Sequence, residues 1–369
     1  MSNLILIPVF VVVFGLLVFL HELGHFIMAR LAKIEIEEFG FGFPPRLAKL
    51  FTWRGTEFTL NWIPFGAFVR PRGENDNELE GGMASASPWA RLGVLLGGPV
   101  MNLLTGVLLF SLVFVQIGAP DTSVVKIIEI APDSPASQAG LMVDDVIVQV
   151  NEVKTDSMDA LSGAIRSNLG EEITLRYKRG ETVGEVRAVP RVNPPEGQGA
   201  LGIVMGNPVL PISWLDSLPY ALRTTGEQIR QLIALPGRLI AGQVAPSEAR
   251  MVGPVGIFGI FKKVVETDLE QQAQQTQQVQ QAQPLTLKMV WVNTLALMAT
   301  LSVALGFFNL LPIPALDGGR IIFVLPEILF RRRIPQRYEN VVHMVGFLAL
   351  LALMVIITAQ DIFNPIVIP

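Results

Sequence analysis

Residues 4–20 form an apolar run without a single charge, and it ends directly on Phe19-Leu20-His21-Glu22-Leu23-Gly24-His25. A helix of about 20 such residues crosses the roughly 30 Å hydrocarbon core of a bilayer. Ionisable groups at that depth cost about 2.5 kcal/mol or more each, so two histidines and a glutamate there require a partner. On a helix His21 and His25, four positions apart, project from one face with the spacing that a single Zn2+ needs. Glu22, beside the first of them, is placed to take a proton from a water on that metal. The alternative is a polar helix end that merely faces water, since H-E-x-x-H arises by chance in about one chain in a hundred of this length. Against it, the chain has only three histidines, and two of them stand here.

Half of the 369 residues are hydrophobic and 16% are charged, which indicates a multi-span membrane protein with a soluble part. A net charge of −4 gives no reason to expect nucleic acid. With no cysteine, disulfides and thiolate metal sites are excluded, and a metal must be held by His, Asp or Glu. No Lys or Arg precedes the first apolar run, so it reads as a span rather than a cleavable signal. Four stretches are long enough to cross the bilayer: residues 4–29, 92–116, 287–311 and 341–358. Arg30, Lys33, Arg46, Lys49, Arg54, Arg70, Arg72 and Arg91 lie between the first two, and Arg331, Arg332, Arg333 and Arg337 between the last two. Basic loops stay inside. This places both loops in the cytoplasm, the large middle segment outside, and the histidine motif toward the cytoplasmic end of the first span.

Between the spans, residues 34–73 alternate strand-like patches with turn residues and read as aromatic-rich β-hairpin material at the membrane face. Such a segment is either an interfacial anchor or an exposed strand edge on which an extended substrate pairs. Residues 74–87 are acidic and small, and read as a loop. Residues 122–205 carry strands at 124–130, 146–150 and 173–177, a turn with a short helix at 132–141, and a helical pattern at 158–167. Residues 214–243 are amphipathic, with a membrane-surface position possible. Gly253-Pro254-Val255-Gly256 reads as a turn, and residues 270–283 as a glutamine-rich linker or frayed helix.

A catalytic zinc takes three protein ligands and keeps one position open. The third candidate is Asp317, in Asn309-Leu310-Leu311-Pro312-Ile313-Pro314-Ala315-Leu316-Asp317-Gly318-Gly319, at the end of the third span on the same side as the histidines. Broken backbone at membrane depth is tolerated where it is buried in protein or lines a wet cavity. The plainer reading of an Asp-Gly pair is a turn. His343, early in the fourth span, reads as a polar tip or helix partner, with contact to substrate or an oxyanion as the alternative.

His21-Glu22-Leu23-Gly24-His25, the segment from Asn309 to Gly319 and the intervening soluble domain together resemble the site-2 proteases, intramembrane zinc metalloproteases, and among them the bacterial regulator-of-sigma-E type. Ser134-Pro135-Ala136-Ser137-Gln138-Ala139-Gly140-Leu141 with Asp144-Asp145-Val146-Ile147 is similar to a PDZ domain. The resemblance implies His21, His25 and Asp317 as ligands and Glu22 as base. It implies substrate binding by Asn309, by the hairpin of residues 58–69 with Phe68, and by Asn102 in Gly97-Gly98-Pro99-Val100-Met101-Asn102. It differs from the two tandem PDZ domains of the sigma-E proteases in showing one, and the glutamine tract has no counterpart.

The expectation is therefore an α-helical polytopic membrane protein with about four transmembrane helices, a membrane-associated β-hairpin and an inserted α+β PDZ domain. Residues 1–117 hold the first two spans and hairpin, 118–207 the PDZ domain, 208–286 the amphipathic and glutamine-rich region, and 287–369 the last two spans. By resemblance it would use Zn2+ in the plasma membrane to cut single-pass membrane proteins such as anti-sigma factors, with the PDZ domain extracytoplasmic. Its partners would be those substrates and the lipid bilayer, without nucleic acid. A membrane PDZ scaffold with a structural zinc is the rival, and Glu22 argues against it, because a structural site needs no base.

Overall fold

The apolar run and the motif lie on one continuous helix, α1 (Asn3–Leu31). Its end is set locally: Lys33 takes a left-handed conformation (φ 59°), Ile34 N–H bonds to Ala29 O at 2.9 Å and Lys33 N–H to Arg30 O at 3.1 Å. This is a Schellman stop, and its apolar contact is present, since Ala29 and Ile34 are both buried. The computed structural model describes residues 3–73, 81–195, 197–243, 250–279 and 291–365. Most of the expected acidic loop (74–80), the end of the glutamine tract (280–283) and the start of the expected third span (287–290) lie outside the described residues.

After α1 the chain forms β1 (Ile36–Trp53) and β2 (Thr56–Pro71), joined at Arg54-Gly55 with φ of 48° and 85°. Two consecutive positive φ values define the type I′ turn that suits strand twist. Both strands bend and pair twice. Glu38, Phe39 and Gly40 face Glu57, Phe58 and Thr59 on one side and Arg70, Val69 and Phe68 on the other, while residues 46–53 continue the sheet beyond 56–61. Residues 67–71 are thus an edge strand among the described residues. Phe39, fully buried, stacks on Phe58 and meets Phe19 and Phe26 of α1 at 5.5 and 5.6 Å between ring centroids, which seats the sheet on the helix. Glu38 is buried too, held by Arg46, Arg70 and Thr59.

α2 (Pro88–Ile117) starts with Ser87 Oγ accepting Ala90 N–H at 3.2 Å and Pro at its first position. The chain then builds a separate compact unit, Ile117–Ser213. It contains β3 (Ala119–Pro120), β4 (Val125–Ile130), α3 (Pro135–Gln138), β5 (Val146–Val150), β6 (Val153–Lys154), α4 (Met158–Arg166), β7 (Ile173–Arg179), β8 (Thr182–Ala188), β9 (Ile203–Gly206) and β10 (Val209–Leu210). The sheet order is β8-β7-β5-β4-β9, with β6 beside β5 and β3 paired to β10. Alternate residues Val125 and Ile127, Ile173 and Leu175 point into a core closed by Leu161 and Ile165 of α4. Strands β8 and β9 were not expected: Gly184 interrupts the alternation of the first, and the second is four residues long.

Returning to the first unit, the chain forms α5 (Trp214–Ile240), α6 (Pro254–Val279), α7 (Val292–Leu310), α8 (Asp317–Phe330) and α9 (Gln336–Phe363). α5 buries Ser217, Ala221 and Thr225, one face at intervals of four, and Ala221 packs with Phe110 of α2 and Val303 of α7. Two expectations change here. Gly253-Pro254 opens a helix rather than making a turn, because the Asp361 carboxylate of α9 accepts the Gly253 and Gly256 N–H groups at 2.9 and 2.8 Å and caps it. α8 is an additional helix between the last two spans, where a basic loop was expected. Among the described residues four helices are long and apolar enough to cross a membrane: Leu4–Leu31, Pro88–Ile117, Val292–Leu310 and Gln336–Phe363. The last begins five residues before the expected 341, since its polar first turn carries no hydropathy signal.

Candidate metal centre

His21 and His25 project from α1 toward the start of α8, 296 residues downstream of His21, where Asp317 stands. His21 Nε2 lies 3.1 Å from Asp317 Oδ2 and 3.1 Å from His25 Nε2, and His25 Nε2 lies 3.4 Å from Asp317 Oδ2. Zinc–ligand bonds of about 2.0–2.1 Å in a tetrahedron have edges of about 3.3–3.4 Å, so the three atoms fit three corners around one zinc ion. The side chains are 10%, 12% and 17% exposed, enough to leave an open side.

Local structure holds each group. His25 Nδ1–H donates to Val94 O of α2 at 2.7 Å, which fixes its tautomer with Nε2 bare toward the cluster. Gly98 of α2 sits beneath both rings: a Cβ there would lie 2.3 Å from His25 Nε2 and 2.6 Å from His21 Nε2. Between the two histidines on α1, a Cβ on Gly24 would lie 2.2 Å from Gly97 O, so the two backbones touch. Asp317 does not end the third span but is the first residue of α8, in the turn where a helix N-terminus favours negative charge. α7 stops at Leu310, and residues 311–316 carry the chain round with Ala315 at φ 74°. Ala315 N–H donates to His343 Nδ1 of α9 at 2.9 Å. Gly318 and Gly319 leave no room for a Cβ against the carbonyls of Leu311 (2.2 Å) and Ile313 (2.3 Å). That close packing explains the two glycines after the aspartate.

Glu22 Oε2 accepts the Val69 N–H of the edge strand at 3.2 Å, so the glutamate bridges the histidine helix and the sheet edge. Of the residues expected to bind substrate, Phe68 is on that edge strand with its ring over Gly40. Asn309 bonds to Leu305 O within α7 at 3.0 Å. Asn102 is 1% exposed and lies behind His21, its Nδ2 at 3.2 Å from His21 Nδ1, not on a surface open to a chain. Val94 O, Gly98 and the tie from His343 to Ala315 were missed. In the sequence Gly98 stands out only as part of the segment from Gly97 to Asn102.

Residues 9–353 match Peptidase family M50. The chain belongs to peptidase family M50. That is the site-2 protease family, and zinc is its metal. Zinc metalloprotease RasP of Oceanobacillus iheyensis is 28% identical, with 96% of this chain and 97% of RasP covered. RasP of Geobacillus kaustophilus is 26% identical, with 96% of each covered. Metalloprotease MmpA of Caulobacter vibrioides is 29% identical over 97% of this chain and 96% of MmpA. The solved PDZ domain of the SdrC-like protein from Listeria monocytogenes is similar over 22% of this chain and 87% of that one, at 20% identity and a TM-score of 0.21, too slight a likeness to assign a fold. This M50 chain thus belongs to a zinc metalloprotease family, and among its described residues four helices are long and apolar enough to cross a membrane.

Proposed function

We propose that this M50 chain hydrolyses peptide bonds within or next to the transmembrane segments of single-pass membrane proteins, at a zinc held by His21, His25 and Asp317. The observation that carries the reading is the meeting of those three ligand atoms, 3.1–3.4 Å apart, with Glu22 bonded to a strand edge beside them. A zinc ion bound there would lower the pKa of its water toward about 7 and polarise a carbonyl. Glu22 takes the proton of the attacking water and passes it to the leaving amine nitrogen. A helical substrate hides its carbonyls in hydrogen bonds and must unwind before attack. Residues 67–71 offer the unwound segment a strand to pair with, replacing the bonds it gives up. Phe68 and Asn309 contribute to holding that segment.

The positive-inside pattern of the basic residues puts the histidine end of α1 toward the cytoplasm of the plasma membrane and the unit Ile117–Ser213 outside. We read that unit as a PDZ domain that docks or excludes substrates by their outer portions. The substrates we propose are membrane anti-sigma factors and leftover signal peptides.

Glu22→Gln tests the mechanism. The variant should hold as much zinc as wild type while losing cleavage of a transmembrane model substrate by about 100-fold or more, the usual worth of a general base. Equal activity would sink the mechanism, and cleavage lost together with zinc would leave Glu22 a structural part of the centre.

A further inference from the structure

Every metal-bound imidazole raises the question of where its second nitrogen puts its proton. A ligating nitrogen must be bare, so the other carries the hydrogen and needs an acceptor. For His25 the acceptor is Val94 O. For His21, among the described residues, the polar group within reach of Nδ1 is the carboxamide of Asn102 at 3.2 Å. Asn102 is almost fully buried, its backbone O accepts the Ser302 hydroxyl at 2.8 Å, and Gly306 of α7 packs against its Cβ. Among the described residues its Oδ1 is buried without a hydrogen-bond partner.

We infer that Asn102 is the positioning residue that holds His21 in its metal-ligating tautomer, its Oδ1 accepting the Nδ1–H of the loaded site. The inference rests on His21, His25 and Asp317 being the ligand set. As placed, the Asn102 NH2 faces Nδ1, which puts the His21 proton on Nε2, pointing at Asp317 Oδ2 3.1 Å away. That arrangement is self-consistent but denies His21 to a metal. The two ends of a carboxamide have nearly the same size, so turning it over exchanges donor for acceptor in the same space. On loading, the His21 proton sits on Nδ1 instead of Nε2. The imidazole is neutral in both arrangements, so no proton is gained or lost by this ring. Asn102 thereby supports the metal from behind His21 rather than gripping substrate.

An ionised aspartate accepts but cannot donate, and leucine does neither, so the two variants separate the roles. With full-length protein in detergent and zinc affinity read by chelator competition, Asn102→Leu should bind zinc about 10–100-fold more weakly than wild type. Asn102→Asp should stay within a few-fold of it. Asn102→Asp as weak as Asn102→Leu, or Asn102→Leu equal to wild type, overturns the inference. Should a variant fail to fold, wild type decides alone: with only three histidines, 15N-histidine labelling resolves each ring. In the zinc-loaded protein His21 and His25 should both carry the proton on Nδ1. The His21 Nδ1–H should be hydrogen-bonded to the Asn102 carboxamide oxygen, read as a downfield, slowly exchanging proton with a nuclear Overhauser contact to the Asn102 side chain. A His21 Nδ1–H without that bond overturns the inference. A bare Nδ1 on His21 refutes the role of Asn102. Wild type that holds no zinc overturns the ligand set, and this inference with it.

Discussion

Gly98→Ala is the sharpest separation of the metal centre from the fold. The added methyl would stand 2.3 Å from His25 Nε2 and 2.6 Å from His21 Nε2. Carbon contacts normally begin near about 3.5 Å, so each ring would have to retreat by roughly 1 Å. Neither has slack: His25 is held through Nδ1 by Val94 O at 2.7 Å, and His21 by Asn102 at 3.2 Å. Metal–ligand distances tolerate about 0.2 Å, several times less than the displacement required. The helix itself loses nothing, because alanine is the better helix former by about 1 kcal/mol. The expected outcome is zinc affinity reduced at least about 100-fold, the upper end of what losing a supporting contact costs, with helix content and thermal midpoint kept. Chelator competition reads the first, circular dichroism the second. Gly93→Ala on the same helix is the control, since its nearest neighbour is the flexible end of Met28 at 3.3 Å. Gly98→Ala with wild-type zinc affinity would show that the histidines do not meet over Gly98, and the reasoning would fall.

Two further outcomes test the supports of the structure. His343→Leu removes the acceptor of the Ala315 N–H and leaves that donor unpaired, which should lower zinc occupancy several-fold. His343→Asn, whose Oδ1 stands near the position of Nδ1, should restore it, and equal zinc content in both variants would remove His343 from the centre. In the sheet unit, burial alone would push the Asp145 carboxyl up, but hydrogen bonds from Arg179 and the Met142 N–H outweigh it and hold the carboxyl below its usual range. A depressed carboxylate stabilises above its unfolded pKa of about 3.9, and that contribution is lost as pH falls through the lower folded value. Asp145→Asn should therefore cost about 1–3 kcal/mol at neutral pH, toward the low end because Arg179 is partly exposed, and less in acid. Denaturant melts of the full chain at pH 7 and pH 3 would check it, and an equal cost at both would count against the ion pair.

What could be read from the residues alone was what short-range spacing encodes. The interval between His21 and His25 and the long apolar runs are local patterns, and α1, α2, α7 and α9 occupy the stretches they mark. Asp317 could be singled out only by asking which acid lies at the right depth, and the turn geometry that makes it the first residue of α8 was hidden by Pro312 and Pro314. α6 was hidden as well. Its start depends on Asp361, more than 100 residues away, and no window of sequence contains both. Gly98 looks like any other glycine in a span until the rings above it are placed. Asn102 had a resemblance to suggest substrate, yet its burial behind His21 is a matter of how α1, α2 and α7 pack.

The distance along the chain between His21 and Asp317 has a consequence in time. At about 5–20 residues per second, some 15–60 s of synthesis separate the two histidines from the aspartate. Until α7 and α8 are in place, the nascent protein carries His21, Glu22 and His25 but not Asp317. On the proposed ligand set, the centre is thereby incomplete while the chain is being made. It closes only when α8 reaches α1.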